Sequence, residues 1–190
     1  MSNDPLSCRA CRLHETRTRV VLPDGQGPIL AIGEGPGADE DAQGVGFVGS
    51  AGRTLDKAMA SVGIAREAYA RANVVRCRPP GNRAPRVDEK DACASWLDQA
   101  IEAQAPRVLL AVGESAAKRL IRWPKGVRYL DYVAALLEQA ERDPCVLPLY
   151  RGVRVVPMPH TSGLAWNRRR PDGTPIRDLG MRSIRLASRL

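Results

Sequence analysis

Residues 28–37 read Pro28-Ile29-Leu30-Ala31-Ile32-Gly33-Glu34-Gly35-Pro36-Gly37, a short unbroken apolar run entering a glycine-rich loop. Continuous apolarity marks a strand buried on both faces, whereas a half-exposed strand would alternate. Val108 to Val112 repeats the pattern and also runs into a glycine, Gly113. Asn73-Val74-Val75 and Val153-Arg154-Val155-Val156 read as two further strands. Helical spacing fills the intervals: Leu55, Ala58, Met59 and Val62 between Gly52 and Gly63, then a long helix from Asp88 to about Gln104 with Asp88 as its cap. Further helices are expected from about Ser115 to Ile121, over 129–141, and from Ile176 to the end. Strands alternating with helices predict a three-layer α/β/α sandwich with a short central parallel sheet. Ligands of such sheets sit beyond the carboxyl ends of the strands. Four loops are therefore candidates: 33–37, 76–78, 113–115 and 157–160.

The chain has 190 residues, which suits one domain, with 29 Lys plus Arg against 21 Asp plus Glu and a net charge of +8. Only four of the cations are Lys. Between Arg151 and Leu190 stand nine Arg and two acids, so seven of the eight excess charges belong to the last forty residues. A local cationic patch of this kind reads as a polyanion-binding surface, with a solvated Arg-rich helix as the simpler alternative. The opening residues are polar and no apolar run approaches the length of a membrane span. A cytoplasmic protein that binds no membrane is expected, and an odd count of five Cys argues against a disulfide scaffold.

The cysteines then need another use. Cys8 and Cys11 form a C-x-x-C pair, Cys77 follows the second strand, and Cys93 lies in the long helix. Four thiolates suit zinc or a [4Fe-4S] cluster, and spacing does not choose between them; Cys77 and Cys93 also suit an ordinary core. Cys145 has no local partner. The loop from Gly33 to Gly37 is not a nucleotide-binding fingerprint, since neither G-x-G-x-x-G nor G-K-[ST] is present. Gly44-Val45-Gly46-Phe47-Val48-Gly49 holds the one Phe of the chain between glycines, a placement that suits an aromatic platform for a planar ligand. Ser115 lacks the second glycine of a nucleophile elbow and reads as a residue of a helix start. Of the two His, His14 is expected at the surface, whereas His160 follows a strand and is a candidate for function.

Taken together, these stretches resemble the family 4, iron-sulfur uracil-DNA glycosylases. The resemblance rests on C-R-A-C at 8–11, G-E-G-P-G-A-D-E-D at 33–41, G-F-V-G-S-A-G at 46–52, N-V-V-R-C-R-P-P-G-N-R at 73–83, Cys93, and H-T-S at 160–162. It implies a [4Fe-4S] cluster on Cys8, Cys11, Cys77 and Cys93, and a monomeric, monofunctional hydrolase excising uracil from DNA in base excision repair. Phe47 is implied to stack on a flipped base and Asn73 to bond its Watson-Crick edge. His160 would meet the negative charge developing at uracil O2. Glu34 and Glu40 would position water or stabilise a cationic sugar, with Gly35 at the pocket wall. Leu164 would act as a wedge, and Ser50, Ser162 and the run Arg168-Arg169-Arg170 would hold phosphates. The resemblance makes residues 1–190 one glycosylase domain with a helical insertion at about 127–148.

Three departures from the family pattern carry expectations of their own. Gly35 occupies the place where the best-known uracil glycosylases have a water-activating Asp, which implies a more dissociative route. Gly46 and Thr161 replace two usual prolines, and both are expected to loosen the pocket's edges. Arg78 to Arg83 contains no His, so no stable covalent product is expected. The alternatives are a damaged-DNA-binding iron-sulfur protein without turnover and a glycosylase for another deaminated base such as hypoxanthine.

Overall fold

The computed structural model describes residues 4–190, so the first three residues of the polar opening lie outside it. Its centre is a five-stranded sheet. In chain order the strands are β1 (Ile29–Gly33), β2 (Ala70–Asn73), β3 (Val108–Val112), β4 (Leu149–Tyr150) and β5 (Val153–Met158), and in space they lie β2-β1-β3-β5-β4. All pair in parallel except β4, which closes one edge as an antiparallel hairpin with β5. Every residue of β1 and β3 is buried, as their unbroken apolar sequences require. Complete burial of a Leu such as Leu30, Leu109 or Leu110 stabilises the sheet by roughly 2–3 kcal/mol each.

Eight α-helices surround the sheet: α1 (Ala38–Gln43), α2 (Ser50–Ala60), α3 (Val87–Ala92), α4 (Ala94–Gln104), α5 (Glu114–Leu120), α6 (Tyr129–Ala140), α7 (Gly163–Trp166) and α8 (Ile176–Ala187). The α/β class and the central, mostly parallel sheet are as the sequence predicts. The connection after β1 leads to β2 on one side, and the chain then returns to β3 on the other. A crevice opens at the carboxyl end of β1, where the winding direction changes.

Two element boundaries differ from expectation. The second strand is Ala70–Asn73 and Asn73 ends it; Val74 and Val75 lie just beyond, buried, with N–H groups donating to the Gly33 and Glu34 carbonyls at 2.9 and 3.1 Å. The long helix is two helices meeting at Cys93 (φ −94°, ψ −3°), and its cap is at Arg86, where the N–H donates to the Glu89 carboxylate at 2.7 Å. The helix of the 127–148 segment packs into the fold. Val133, Leu137 and Ala140 of α6 are fully buried, and α6 packs on α8.

Candidate active site

A cleft of about 500 Å³ opens at the carboxyl ends of the parallel strands. It is lined from β1 by residues 33–37, from β2 by Asn73, from β3 by Val112, and from β5 by His160 to Ser162. Glu40, Phe47 and Ser50 complete one wall, and Pro79, Asn82, Arg83 and Pro85 form the opposite one. Eight residues singled out in the sequence thus meet in one cavity: Glu34, Gly35, Glu40, Phe47, Ser50, Asn73, His160 and Ser162. Leu164 and Arg168 are not among its lining. Leu164 projects from α7 and is 80% exposed, and Arg168 is exposed just beyond it.

Gly33 is the floor between two of these side chains. A Cβ there would fall 2.5 Å from Asn73 Oδ1 and 2.8 Å from Phe47 Cζ, so only glycine lets the amide and the ring converge. Phe47 itself is buried and has a left-handed backbone, φ 57°, a conformation that non-glycine residues adopt at a cost. Its carbonyl lies against the first turn of α2, where a Cβ on Gly52 would meet it at 2.0 Å.

His160 is held from two sides. Gly113, at φ +90°, passes behind the imidazole, and a Cβ there would stand 2.9 Å from Cδ2. On the other side the Ser162 N–H donates to Nδ1 at 3.1 Å. That bond makes Nδ1 an acceptor, so the neutral ring carries its proton on Nε2. Although the residue as a whole is exposed, protein surrounds the ring closely. Desolvation lowers its pKa below the ordinary 6.5, with the charge of Glu34 opposing.

Glu40 has a different situation from Glu34. Its carboxylate is buried and accepts N–H bonds from Gly37 at 3.0 Å and Gly49 at 2.7 Å, pinning the glycine loop to the Phe47 loop. The neighbouring Asp41 is likewise buried and accepts from the Thr18 and Arg19 N–H groups. Glu34 is half-buried at the cleft surface.

Each of the two proline replacements stands beside a hydrogen bond that restrains its loop. Thr161 is fully buried and its hydroxyl donates to the Ala51 carbonyl at 2.8 Å, tying the His160 loop to α2. The Gly46 carbonyl accepts from Arg66 Nη2 at 2.8 Å. In both places a hydrogen bond does the restraining that a proline ring would otherwise do.

Cys8, Cys11, Cys77 and Cys93 line a second, separate cavity, with Arg17 and Arg76 beside them. Cys8 and Cys11 flank a bend between two short 3-10 turns, and Cys93 comes into the cavity because the chain breaks between α3 and α4. All four thiols are free. Burial raises the pKa of Cys11 and Cys77 and pushes Cys93 up to about 11. Arg17 Nη1 lies 3.2 Å from Cys77 Sγ, and the buried Arg76 donates to the Trp96 carbonyl at 2.7 Å. Among the described residues no three His, Cys, Asp or Glu side chains stand close enough to grip a single ion. The donor set, four thiols with two cations on an otherwise apolar wall, suits an anionic group larger than one ion. Cys145 is exposed, away from the set.

Residues 21–179 match the family model described as the Uracil DNA glycosylase superfamily. The chain is 37% identical over 163 residues to a type-4 uracil-DNA glycosylase of Thermotoga maritima, covering 85% of this chain and 79% of that one. This chain belongs to the uracil-DNA glycosylase superfamily, in its type-4 family. A type-4 uracil-DNA glycosylase of Archaeoglobus fulgidus is 43% identical over 115 residues, and a type-5 enzyme of Pyrobaculum aerophilum is 29% identical over 109. The matched region spans 58% of the length of the Archaeoglobus protein. The superfamily match runs from just before β1 into α8 and so includes every strand and every wall of the cleft.

The cleft also holds residues to which the sequence reading gave no role, chiefly Asn82 and Arg83 at the end of the 73–83 motif, and Val112. Arg83 forms a two-pronged ion pair with the buried Glu89, which holds the Glu89 carboxyl down to about 2. The six-residue spacing of this pair follows no helical or strand period, so the pairing is unmarked in the sequence although Arg83 itself ends the 73–83 motif.

Proposed function

We propose that this protein excises uracil from DNA by hydrolysis of the N-glycosidic bond and that it carries a [4Fe-4S] cluster. The observation that carries the first part is the convergence of Phe47, Asn73, Glu34 and a neutral, Nε2-protonated His160 in one cleft of a type-4 chain. A base buried in a duplex cannot reach such a cleft, so the nucleotide must first leave the stack. Leu164, exposed on α7, would fill the gap, and Ser50 and Ser162 of the cleft lining and the exposed Arg168 would hold phosphates. Phe47 supplies a flat apolar surface for the base. The Asn73 amide offers a donor and an acceptor side by side, matching O4 and N3–H of uracil and mismatching the reversed pair on cytosine.

Bond cleavage sends the electron pair of the C1′–N1 bond into the base, and negative charge collects at O2. A neutral His160 donating Nε2–H stabilises that charge, and its fixed tautomer costs no reorganisation in the transition state. Glu34 stays by the cationic sugar and the incoming water, which adds to C1′ and gives up a proton that passes through solvent to the departing uracil anion. Glu40, whose carboxylate is bound to two backbone N–H groups, acts as a positioning residue. No residue at position 35 activates water, in keeping with a dissociative route.

Cys8, Cys11, Cys77 and Cys93 would hold the cluster as thiolates, with Arg17 and Arg76 offsetting its negative charge. Bound there, the cluster supplies an electron-transfer centre and a covalent tie between the N-terminal turns, the β2 loop and α3–α4.

A uracil-containing oligonucleotide, incubated with the protein and then with alkali, tests the activity. Strand scission with wild type, lost in His160→Ala and Glu34→Ala, is expected; scission absent with wild type would sink the proposal. Protein that binds the oligonucleotide without releasing base would favour the binding-module reading instead. Anaerobically purified protein is expected to be brown with about four irons per chain. One zinc in a colourless protein would reject the cluster.

A further inference from the structure

The backbone of Phe47 is strained, and Gly46 before it has no ring to fix its geometry, so something else must hold this loop in the cleft wall. Arg66 does so. It sits on a 3-10 turn (Arg66–Ala68) just before β2, outside the cleft lining. One guanidinium nitrogen, Nη1, donates to the Phe47 carbonyl at 3.0 Å, and Nη2 donates to the Gly46 carbonyl at 2.8 Å. The planar fork thus grips two successive peptide oxygens, a geometry that a lysine ammonium cannot reproduce. The guanidinium is itself aimed by Asp56, with Nη1 2.8 Å from Oδ2, and the Tyr69 hydroxyl donates a short hydrogen bond to the same carboxylate. Arg71, almost fully buried, is paired with Asp24 and donates to the Arg66 carbonyl, so the turn that carries the fork is also fixed.

The geometry points to Arg66, oriented by Asp56, as the positioning residue that keeps the Phe47 ring presented as the platform for the base. This inference rests on the reading of Phe47 as that platform, and the two can fail separately. Arg66 touches neither base nor sugar; it acts through the backbone at 46 and 47. The network has no counterpart in helical or strand spacing, since its members at 24, 46–47, 56, 66 and 69–71 come from five different segments.

Phe47 is the sole Phe of the chain, so full-length protein grown with phenylalanine ¹³C-labelled only at the ring ζ carbon gives one ring signal that reports this residue alone. In Arg66→Gln the signal is expected to shift or broaden, and kcat/KM for release of uracil from an oligonucleotide to fall about 10- to 100-fold. Arg66→Lys, which keeps the charge beside Asp56 but loses the fork, is expected to show the same changes with an unaltered fold by circular dichroism. It serves alone if Arg66→Gln does not fold. An unchanged Phe47 signal in the folded variant overturns the clamp. A displaced signal with unchanged turnover overturns the positioning role alone if Phe47→Leu impairs base release. If Phe47→Leu is also fully active, the reading of Phe47 as the platform falls, and the positioning role with it.

Discussion

At the scale of single residues, His160 shows how little is needed to set a protonation state. One backbone N–H on Nδ1 fixes the tautomer, and the surrounding protein favours the neutral ring. Protonation would place a second N–H against that of Ser162 and break the loop's hold. Base release is therefore expected to be pH-independent on the alkaline side of 6.5 and to fall as pH drops through the depressed pKa, below 6.5. Folding stability should fall in the same direction, because below 6.5 the unfolded chain takes up the proton more readily than the folded one. Removing the donor in His160→Ala is expected to lower kcat by about 10²- to 10³-fold. His160→Gln, which keeps an N–H but does not titrate, should lose the acid limb. Single-turnover rates across the acid range check this, and an acid limb that survives in His160→Gln would assign it to another group.

At the scale of elements, the apolar runs of β1 and β3 were legible because nothing but burial determines them. The second strand was not, because Ala70-Arg71-Ala72-Asn73 carries a charge that belongs in no generic strand. Arg71 is tolerated there, 4% exposed, only because Asp24 meets it with both carboxylate oxygens and Tyr69 places a ring beneath it. Val74 and Val75, with the stronger strand signature, are instead core residues of the turn that follows. The break at Cys93 was equally silent, since both halves keep a helical rhythm across it. The cleft residues 33–37, 47, 73 and 160 could be found because their motifs are local, whereas the Arg66 and Arg83 networks exist only in the folded chain. α7 presents a further case that only packing shows. Trp166 lies against α8 so closely that a Cβ on Gly180 would come within 2.3 Å of its ring. By helix propensity alone Gly180→Ala should stabilise α8 by about 1 kcal/mol. The expected result is the opposite, a lowered melting temperature, because Trp166 must leave its notch. Leu164, two residues away, should move with it, so uracil release from duplex should fall more than release from single strands, which need no wedge. Equal losses on both substrates would show that α7 plays no part in opening the duplex.

For the molecule as a whole, the charge surplus of the last forty residues is smaller in effect than in number. Arg151 is paired with Asp98, Arg170 with Asp131 and Asp172, and Arg182 with Glu141. These cations hold the fold's own acids: Asp98 in α4, Asp131 in α6 and, after the last turn of α6, Glu141 are all tied by them to the last forty residues. Five others, Arg154, Arg168, Arg169, Arg185 and Arg189, have no carboxylate within 4 Å among the described residues, and Arg168 and Arg169 come just after α7, where Leu164 is exposed. Of these five, Arg168 and Arg169 follow Leu164 most closely in the chain and are the ones expected to replace counterions on a phosphate backbone. Each phosphate neutralised contributes about 0.9 to the slope of log K against log salt for duplex DNA. Arg168→Ala combined with Arg169→Ala is thus expected to flatten that slope by about 2. Arg182→Ala should leave the slope unchanged while lowering the melting temperature, since the Glu141 carboxyl that Arg182 holds below its ordinary range loses its partner. Titration of a uracil-containing duplex at several salt concentrations distinguishes the two sets. An equal flattening by Arg182→Ala would mean that the ion-paired arginines exchange their carboxylates for phosphates on binding, and that the whole C-terminal surface, not the α7 tip alone, carries the DNA.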